Sequence, residues 1–170
     1  MPPILKIVWF FLPAAAANMA PVFVRNFPPL STPVDFGRNI FGNNKTWRGI
    51  FFGVITAIVV ALIQHTLVPE DSSILESTLR GLLLGIGALG GDLLKSFFKR
   101  RIGIPSGKSW PVADQIDWIL GVLAVTAVFY GAIFSSWPLE TLAIILVLFG
   151  SLHILTNIAG YFLGMRKQPI

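Results

Sequence analysis

The chain has 170 residues, no cysteine, a hydrophobic fraction of 54%, only 12% charged residues and a formal net charge of +5. Soluble domains carry about 25% charged residues, so this composition excludes an ordinary soluble domain and points to an integral membrane protein. Disulfides and thiol catalysis are excluded with the cysteines, and the basic excess reads first as membrane topology, so no nucleic-acid partner is expected.

Five apolar runs approach the ~20 residues needed to cross ~30 Å of hydrocarbon. They cover roughly residues 4–24, 49–68, 79–98, 116–135 and 141–163. They predict an all-α polytopic membrane protein with five transmembrane helices, built as a single integral domain over residues 1–170. The first run resembles a signal peptide in its charge at Lys6, its apolar core and its small residues. It is too long for a typical signal core, and four more runs follow, so it reads as a retained helix. Pro13 and Pro21 make it irregular, which partner helices tolerate in a membrane. The links alternate in charge. Residues 25–48 carry Arg25, Arg38, Lys45 and Arg48; residues 99–115 carry Lys99, Arg100, Arg101 and Lys108; the tail carries Arg166 and Lys167. The links at 69–77 and 136–140 contain no Lys or Arg and carry Glu70, Asp71, Glu76 and Glu140. Positive residues stay in the cytoplasm. The N-terminus is therefore expected outside, with the two long loops and the C-terminus inside. Lys6 and Arg80 would snorkel at outer helix ends.

On the third helix, Gly81, Gly85, Ala88, Asp92, Lys95 and Lys99 fall within one narrow stripe at 100° per residue. Small residues at this spacing, with Gly87 and Gly91 close by, let another helix approach. Asp92 is different. It lies roughly 9 Å inside the cytoplasmic end at 1.5 Å per residue, where an acid costs at least a few kcal/mol unless paired or hydrated. A bridge to Lys95 or a hydrogen bond to Ser96 would satisfy it structurally; a metal or proton site would satisfy it functionally. The run GIGALGGD matches G-x-G-x-x-G, but no strand precedes it and no βαβ unit surrounds it, so it is not a dinucleotide fingerprint.

A turn-rich loop with Gly103, Pro105, Ser106 and Gly107 then surrounds Lys108. Pro111 is expected to open the fourth helix. Asp114 and Asp117 follow at i,i+3, where two carboxylates share a face and can hold a hard cation. Magnesium prefers a few carboxylates together with phosphates and water. Asp92, Asp114 and Asp117 beside Lys95, Lys99, Arg100 and Lys108 have that composition. They imply phosphoryl or nucleotidyl transfer, with Mg2+ as cofactor, where positioning and charge stabilisation dominate.

Gly91-Asp92, Ser96, Lys99-Arg100 and Asp114-Gln115-Ile116-Asp117 resemble the signature of CTP-dependent cytidylyltransferases that make CDP-activated lipids, the CDP-diacylglycerol synthases. That signature has a Gly-Asp, a Ser, a Lys-Arg pair, a spacer and a D-R-x-D element heading a membrane helix. Lys45-Thr46-Trp47-Arg48-Gly49 matches a second element, K-T-x-E-G, with Arg48 in place of the acid. Pro111-Val112-Ala113 stands where the family has H-G-G. The N-N-K-T-x-R-G and K-R-R-x-G-I-x-x-G elements resemble the archaeal branch, the CDP-archaeol synthases. The likeness covers residues 43–121. It implies CTP and a prenylated glycerol phosphate lipid as partners, with pyrophosphate and a CDP-lipid as products. It also implies a site facing the cytoplasm of the cell membrane. Catalytic roles fall to Asp92, Lys95, Lys99, Arg100, Asp114 and Asp117, and metal binding to the three acids. Contact with CTP falls to Asn43, Asn44, Lys45, Thr46, Arg48, Ser96 and Lys108. A homodimer is left open.

The alternative is a small ion or proton transporter using Asp92. It accounts for the intramembrane acid, but not for two basic loops beside paired acids. CDP-alcohol phosphotransferases are a rival enzyme class that the absence of D-G-x-x-A-R ranks below the cytidylyltransferase reading. Ser151, His153, Thr156 and Asn157 in the last run read as interhelical hydrogen bonding, worth about 0.6 kcal/mol each.

Overall fold

A computed structural model describes residues 3–68 and 73–162. Glu70 and Asp71 of the second link, Leu163, and Arg166 and Lys167 of the tail lie outside the described residues, as does the side chain of Asn157. Among the described residues six helices follow one another: α1 Pro3–Phe23, α2 Trp47–Leu67, α3 Ile74–Arg101, α4 Ala113–Phe129, α5 Gly131–Ser135 and α6 Leu139–Phe162. Among the described residues there is no strand, only an isolated bridge between Pro33 and Thr46.

Among the described residues four helices are long and apolar enough to cross a membrane: residues 4–23, 47–67, 74–101 and 139–156. The fourth expected span, over 116–135, is divided at Tyr130 into α4 and α5. At 17 residues α4 is at the short limit of a crossing. α3 is longer than expected. Its 28 residues span about 42 Å. Consequently Lys99, Arg100 and Arg101, expected in the loop, form the last turn of α3, where cations complement the helix dipole. Pro111 does not open α4. The helix begins at Ala113, after Val112 at φ 69°, a left-handed turn that ends the loop.

Local chemistry sets the other starts. Thr46 caps α2 by accepting from the Gly49 amide at 3.3 Å. Ser73 and Glu76 form a capping box on α3: the Glu76 amide donates to Ser73 Oγ at 3.2 Å, and the Ser73 amide donates to Glu76 Oε2 at 2.6 Å. Glu76 therefore serves α3 rather than the link that precedes it.

α3 is the central element, packed against α1, α2 and α4, and α6 joins through α4. The stripe of small residues divides between two neighbours. A Cβ on Gly81 would meet the Ala57 carbonyl at 2.8 Å and Ala61 Cβ at 2.9 Å, so this part faces α2. A Cβ on Gly87 would meet the Gly121 carbonyl at 2.9 Å, and one on Gly91 would overlap the Asp117 carbonyl. That part faces α4. The two helices touch backbone to backbone where the third and fourth apolar runs carry their acids. The core is built from Phe11, Ala14, Leu84, Ala88, Trp118, Ile119, Val122, Ile145 and Phe149. Large apolar residues such as Val59, Ile86, Leu120 and Val147 stay exposed on the outer faces, as expected where lipid replaces water.

Candidate active site

Three carboxylates converge on one ammonium. Lys95 Nζ lies 3.2 Å from Asp92 Oδ1, 2.9 Å from Asp114 Oδ1 and 2.7 Å from Asp117 Oδ2. The first acid sits one turn before Lys95 on α3, and the other two share the facing side of α4. The glycine contact between α3 and α4 makes this possible, since any larger residue at Gly91 would push Asp117 away.

Further cations close the cluster. The other oxygen of Asp92 pairs with Lys45, carried by the loop before α2. Lys99, buried at 6% exposure, donates to both oxygens of Asp114 at 3.2 Å and to the Lys108 carbonyl at 2.5 Å. Asp114 Oδ2 also accepts from the Trp110 amide at 2.6 Å, and Asp117 Oδ1 from the Trp118 amide at 2.7 Å. Each carboxylate is thus both hydrogen-bonded and paired, which a buried charge requires. Among the described residues no group of three or more His, Asp or Glu side chains is arranged as a ready metal-ligand set. The carboxylates instead surround the Lys95 ammonium, which reaches all three.

The expected nucleotide residues do not all reach this cluster. Asn43 and Asn44 are exposed on the first loop, and Lys108 is exposed on the second. Only the carbonyl of Lys108 enters the cluster. Thr46 is used as a helix cap. Arg48 donates to the Phe27 carbonyl, and so ties the loop to its own base. Ser96 is buried and donates to the Asp92 carbonyl at 2.8 Å, within its own helix. The expected bridge from Asp92 to Lys95 is formed, while the Ser96 hydroxyl bypasses the carboxylate. Arg100 is half-buried at the meeting of the two loops. A Cβ on Gly42 would lie 3.0 Å from Ser106 Oγ and 3.7 Å from Arg100 Nε.

Some contributors were not among the expected site residues. The Trp110 amide holds Asp114, and a backbone donor has no sequence signature. Asp35 shapes the first loop: its carboxylate accepts from the amides of Gly37 at 3.0 Å, Ile40 at 2.7 Å and Phe41 at 2.9 Å. The Phe41 amide, with those of Gly37 and Ile40, holds this carboxyl below its ordinary value of 3.8, against the opposing effect of burial. An Asp two residues before a Gly is a turn signal that could have been read.

A groove of about 550 Å³ runs between α3 and α4, from Ile86 and Val125 through Leu94 and Leu120 to Lys95 and Asp117. It is apolar along most of its length and polar at the end that meets the cluster. Away from the groove, on α1 and α6, Asn18 Nδ2 lies 3.4 Å from His153 Nδ1. His153 therefore joins α1 to α6, as interhelical hydrogen bonding predicts.

A CarS-like family model described as CDP-archaeol synthase matches residues 1–170. A CDP-archaeol synthase of Methanoregula boonei is 42% identical over 147 residues, covering 81% of this chain and 89% of that protein. One of Pyrococcus abyssi is 35% identical over 176 residues and covers 99% of each. A solved structure described as an intramembrane enzyme for archaeal membrane lipids biosynthesis superposes with a TM-score of 0.75 at 30% identity. It covers 91% of this chain and 94% of that one.

Proposed function

The chain belongs to the CDP-archaeol synthase family of CTP-dependent cytidylyltransferases, and from that membership we propose that it transfers CMP from CTP to 2,3-bis-O-(geranylgeranyl)-sn-glycerol 1-phosphate. The products are the CDP-activated lipid and pyrophosphate. The observation that carries the reading is that Lys95 and Asp117 belong both to the charged cluster and to the apolar groove. A phosphate with two long prenyl tails has the same division. Its tails fit the groove wall formed by Ile86, Leu94, Leu120 and Val125, and its phosphate fits the charged end.

An oxygen of the lipid phosphate attacks the α-phosphorus of CTP. The bond from that phosphorus to the α–β bridging oxygen breaks in line, and pyrophosphate leaves. No covalent enzyme intermediate is required. Lys45, Lys95, Lys99 and Arg100 neutralise the phosphate charges, and catalysis rests on positioning and charge stabilisation. Asn43, Asn44 and Lys108 line the exposed rim on the nucleotide side. Thr46, Arg48 and Ser96 act by holding the loop and the helix rather than by contact with CTP.

The donors are of the chemical kind magnesium takes, although Lys95 rather than an open position now stands at their centre. The set consists of three carboxylates, and their oxygens already gather within 3.2 Å of one cation, the Lys95 ammonium; hard oxygen ligands suit this ion. Asp92, Asp114 and Asp117 would hold it, and when bound it supplies Lewis-acid stabilisation of the phosphate oxygens. Lys95 would give up its carboxylate partners to the metal and turn to the phosphates.

The same reading takes α4 with α5 as a fifth crossing, in a multi-pass protein of the cell membrane whose cluster faces the cytoplasm. The N-terminus is outside and the C-terminus inside. The distribution of Lys and Arg supports it: they crowd the segments before α2 and at the end of α3, and none lies at 136–140. Every residue invoked comes from one chain, so a dimer is not required. Transport through Asp92 is less favoured, because Lys45 and Lys95 engage both of its oxygens. Purified protein in liposomes, given labelled CTP and the prenylated glycerol phosphate, is expected to release pyrophosphate only when both substrates are present. Release without the lipid, or proton flux without release, would overturn the assignment.

A further inference from the structure

We propose that Asp35 is a positioning residue of the nucleotide site, acting through the first loop on Lys45. The proposal rests on the CTP-dependent reading above. The loop closes at its base by an antiparallel pairing: the Val34 amide donates to the Lys45 carbonyl at 2.8 Å, the Trp47 amide to the Thr32 carbonyl at 3.1 Å, and the Arg48 amide to the Leu30 carbonyl at 2.7 Å. Lys45 is therefore set by whatever orders residues 35–44. Those residues have little apolar burial of their own, and their backbone turns left-handed four times, at two glycines and an Asn that tolerate it and at Phe36, which does not. Phe36 and Asn39 adopt φ of 53° and 55°, and Gly37 and Gly42 lie at 82° and 89°. A bulky residue such as Phe36 stays left-handed only where the surroundings hold it.

Asp35 is what holds these residues. It is 5% exposed, and its two oxygens take the Gly37, Ile40 and Phe41 amides. Among the described residues no Lys or Arg pairs with it, so the charge is satisfied by the loop backbone itself. The turn so formed aims three features across the cytoplasmic end of the bundle. The Phe41 ring packs on Phe97 of α3 with centroids 6.4 Å apart. Gly42 comes against Ser106 and Arg100, close enough that an added Cβ would lie 3.0 Å from the serine hydroxyl. Asn44 approaches Gly107 in the same way, its Nδ2 3.7 Å from a Cβ built there. Asp35 thereby fixes the seam between the two loops and, by the pairing at the loop base, delivers Lys45 to Asp92. Its carboxylate touches no reacting group. Its effect is on how the nucleotide is held before the chemical step.

The test uses the full-length protein in liposomes and two variants. Asp35→Ala removes all three acceptors. Asp35→Asn retains an oxygen where Oδ2 now takes two amides. Asp35→Ala is expected to raise the KM for CTP about tenfold while kcat stays within about threefold and the KM for the lipid is unchanged. Asp35→Asn is expected to recover part of the CTP affinity. An unchanged KM for CTP, or a fall in kcat alone as folded enzyme is lost, would overturn the proposal. A second arm needs no turnover. Because the chain lacks cysteine, spin labels at Arg38→Cys and Ile102→Cys report the distance between the two loops. The distribution should broaden in Asp35→Ala; one as narrow as in the parent protein refutes the positioning role. If the parent protein turns over no CTP yet the distribution broadens in the variant, the enzymatic reading falls and the ordering of the loop by Asp35 stands.

Discussion

Lys95 is the residue on which the cluster depends, because three carboxylates face one another once it is gone. Removing one partner from a buried ion pair costs ~3–5 kcal/mol, so Lys95→Met is expected to lower the melting temperature of the protein without nucleotide. The same variant should bind Mn2+ more tightly than the parent in the absence of CTP, measured by electron paramagnetic resonance, because the competing ammonium is absent. Unchanged Mn2+ affinity would show that the carboxylates are not the metal ligands. Asp114→Ala and Asp117→Asn are expected to reduce CMP transfer at least about 100-fold while helix content is kept, a size typical of losing a group that positions charge in a transfer reaction. Wild-type rates in both would remove the acids from the mechanism. Asp35 allows a statement about pH. Its folded carboxyl titrates below the ordinary 3.8, so its contribution to loop order is fully present above that value. It is lost only as pH falls through the depressed folded value. Spin labels on the loop should therefore report the same mobility at pH 7 and pH 4, and greater mobility only below pH 3.8.

At the scale of the elements, the crossing of α3 and α4 joins sequence to chemistry. Gly121→Val is expected to abolish transfer while the other helix contacts persist, because the side chain would drive into the Gly87 carbonyl and part Lys95 from Asp117. Gly90 has nothing within 4 Å of an added Cβ, yet it lines the groove. Gly90→Leu should therefore raise the KM for the lipid and leave the KM for CTP unchanged; a rise in both would count against the groove as the tail site. Much of this was legible beforehand. The apolar runs marked the helices, small residues at helical spacing marked the close contacts, and the three acids with Lys95 and Lys99 marked the cluster. What was hidden has physical causes. Helix ends depend on capping and on tertiary contact, so α3 ran through Lys99, Arg100 and Arg101 while α4 started after Pro111. The division of the glycines between two partners could not be read from one helix. Thr46, Arg48 and Ser96 have side chains suited to phosphate, but the backbone around them takes their hydrogen bonds.

For the whole molecule, the alternation of charge between loops leads to a direct test of orientation. With no native cysteine, single cysteines at Arg38 and Ser136, both exposed, should react with an impermeant maleimide from opposite sides of intact cells. Labelling of both from the same side would overturn the proposed crossings. The pairing within the cluster has a consequence for how its two small ligands depend on each other. Three carboxylates, Asp92, Asp114 and Asp117, meet three ammonium groups, Lys45, Lys95 and Lys99. At rest the cluster is therefore electrically self-compensated. A triphosphate arriving alone draws the lysines away and strands the acids, and a divalent cation arriving alone crowds the lysines. Arriving together, each takes up what the other displaces. The two should bind with positive cooperativity, and by thermodynamic reciprocity the factor by which metal tightens nucleotide binding must equal the factor by which nucleotide tightens metal binding.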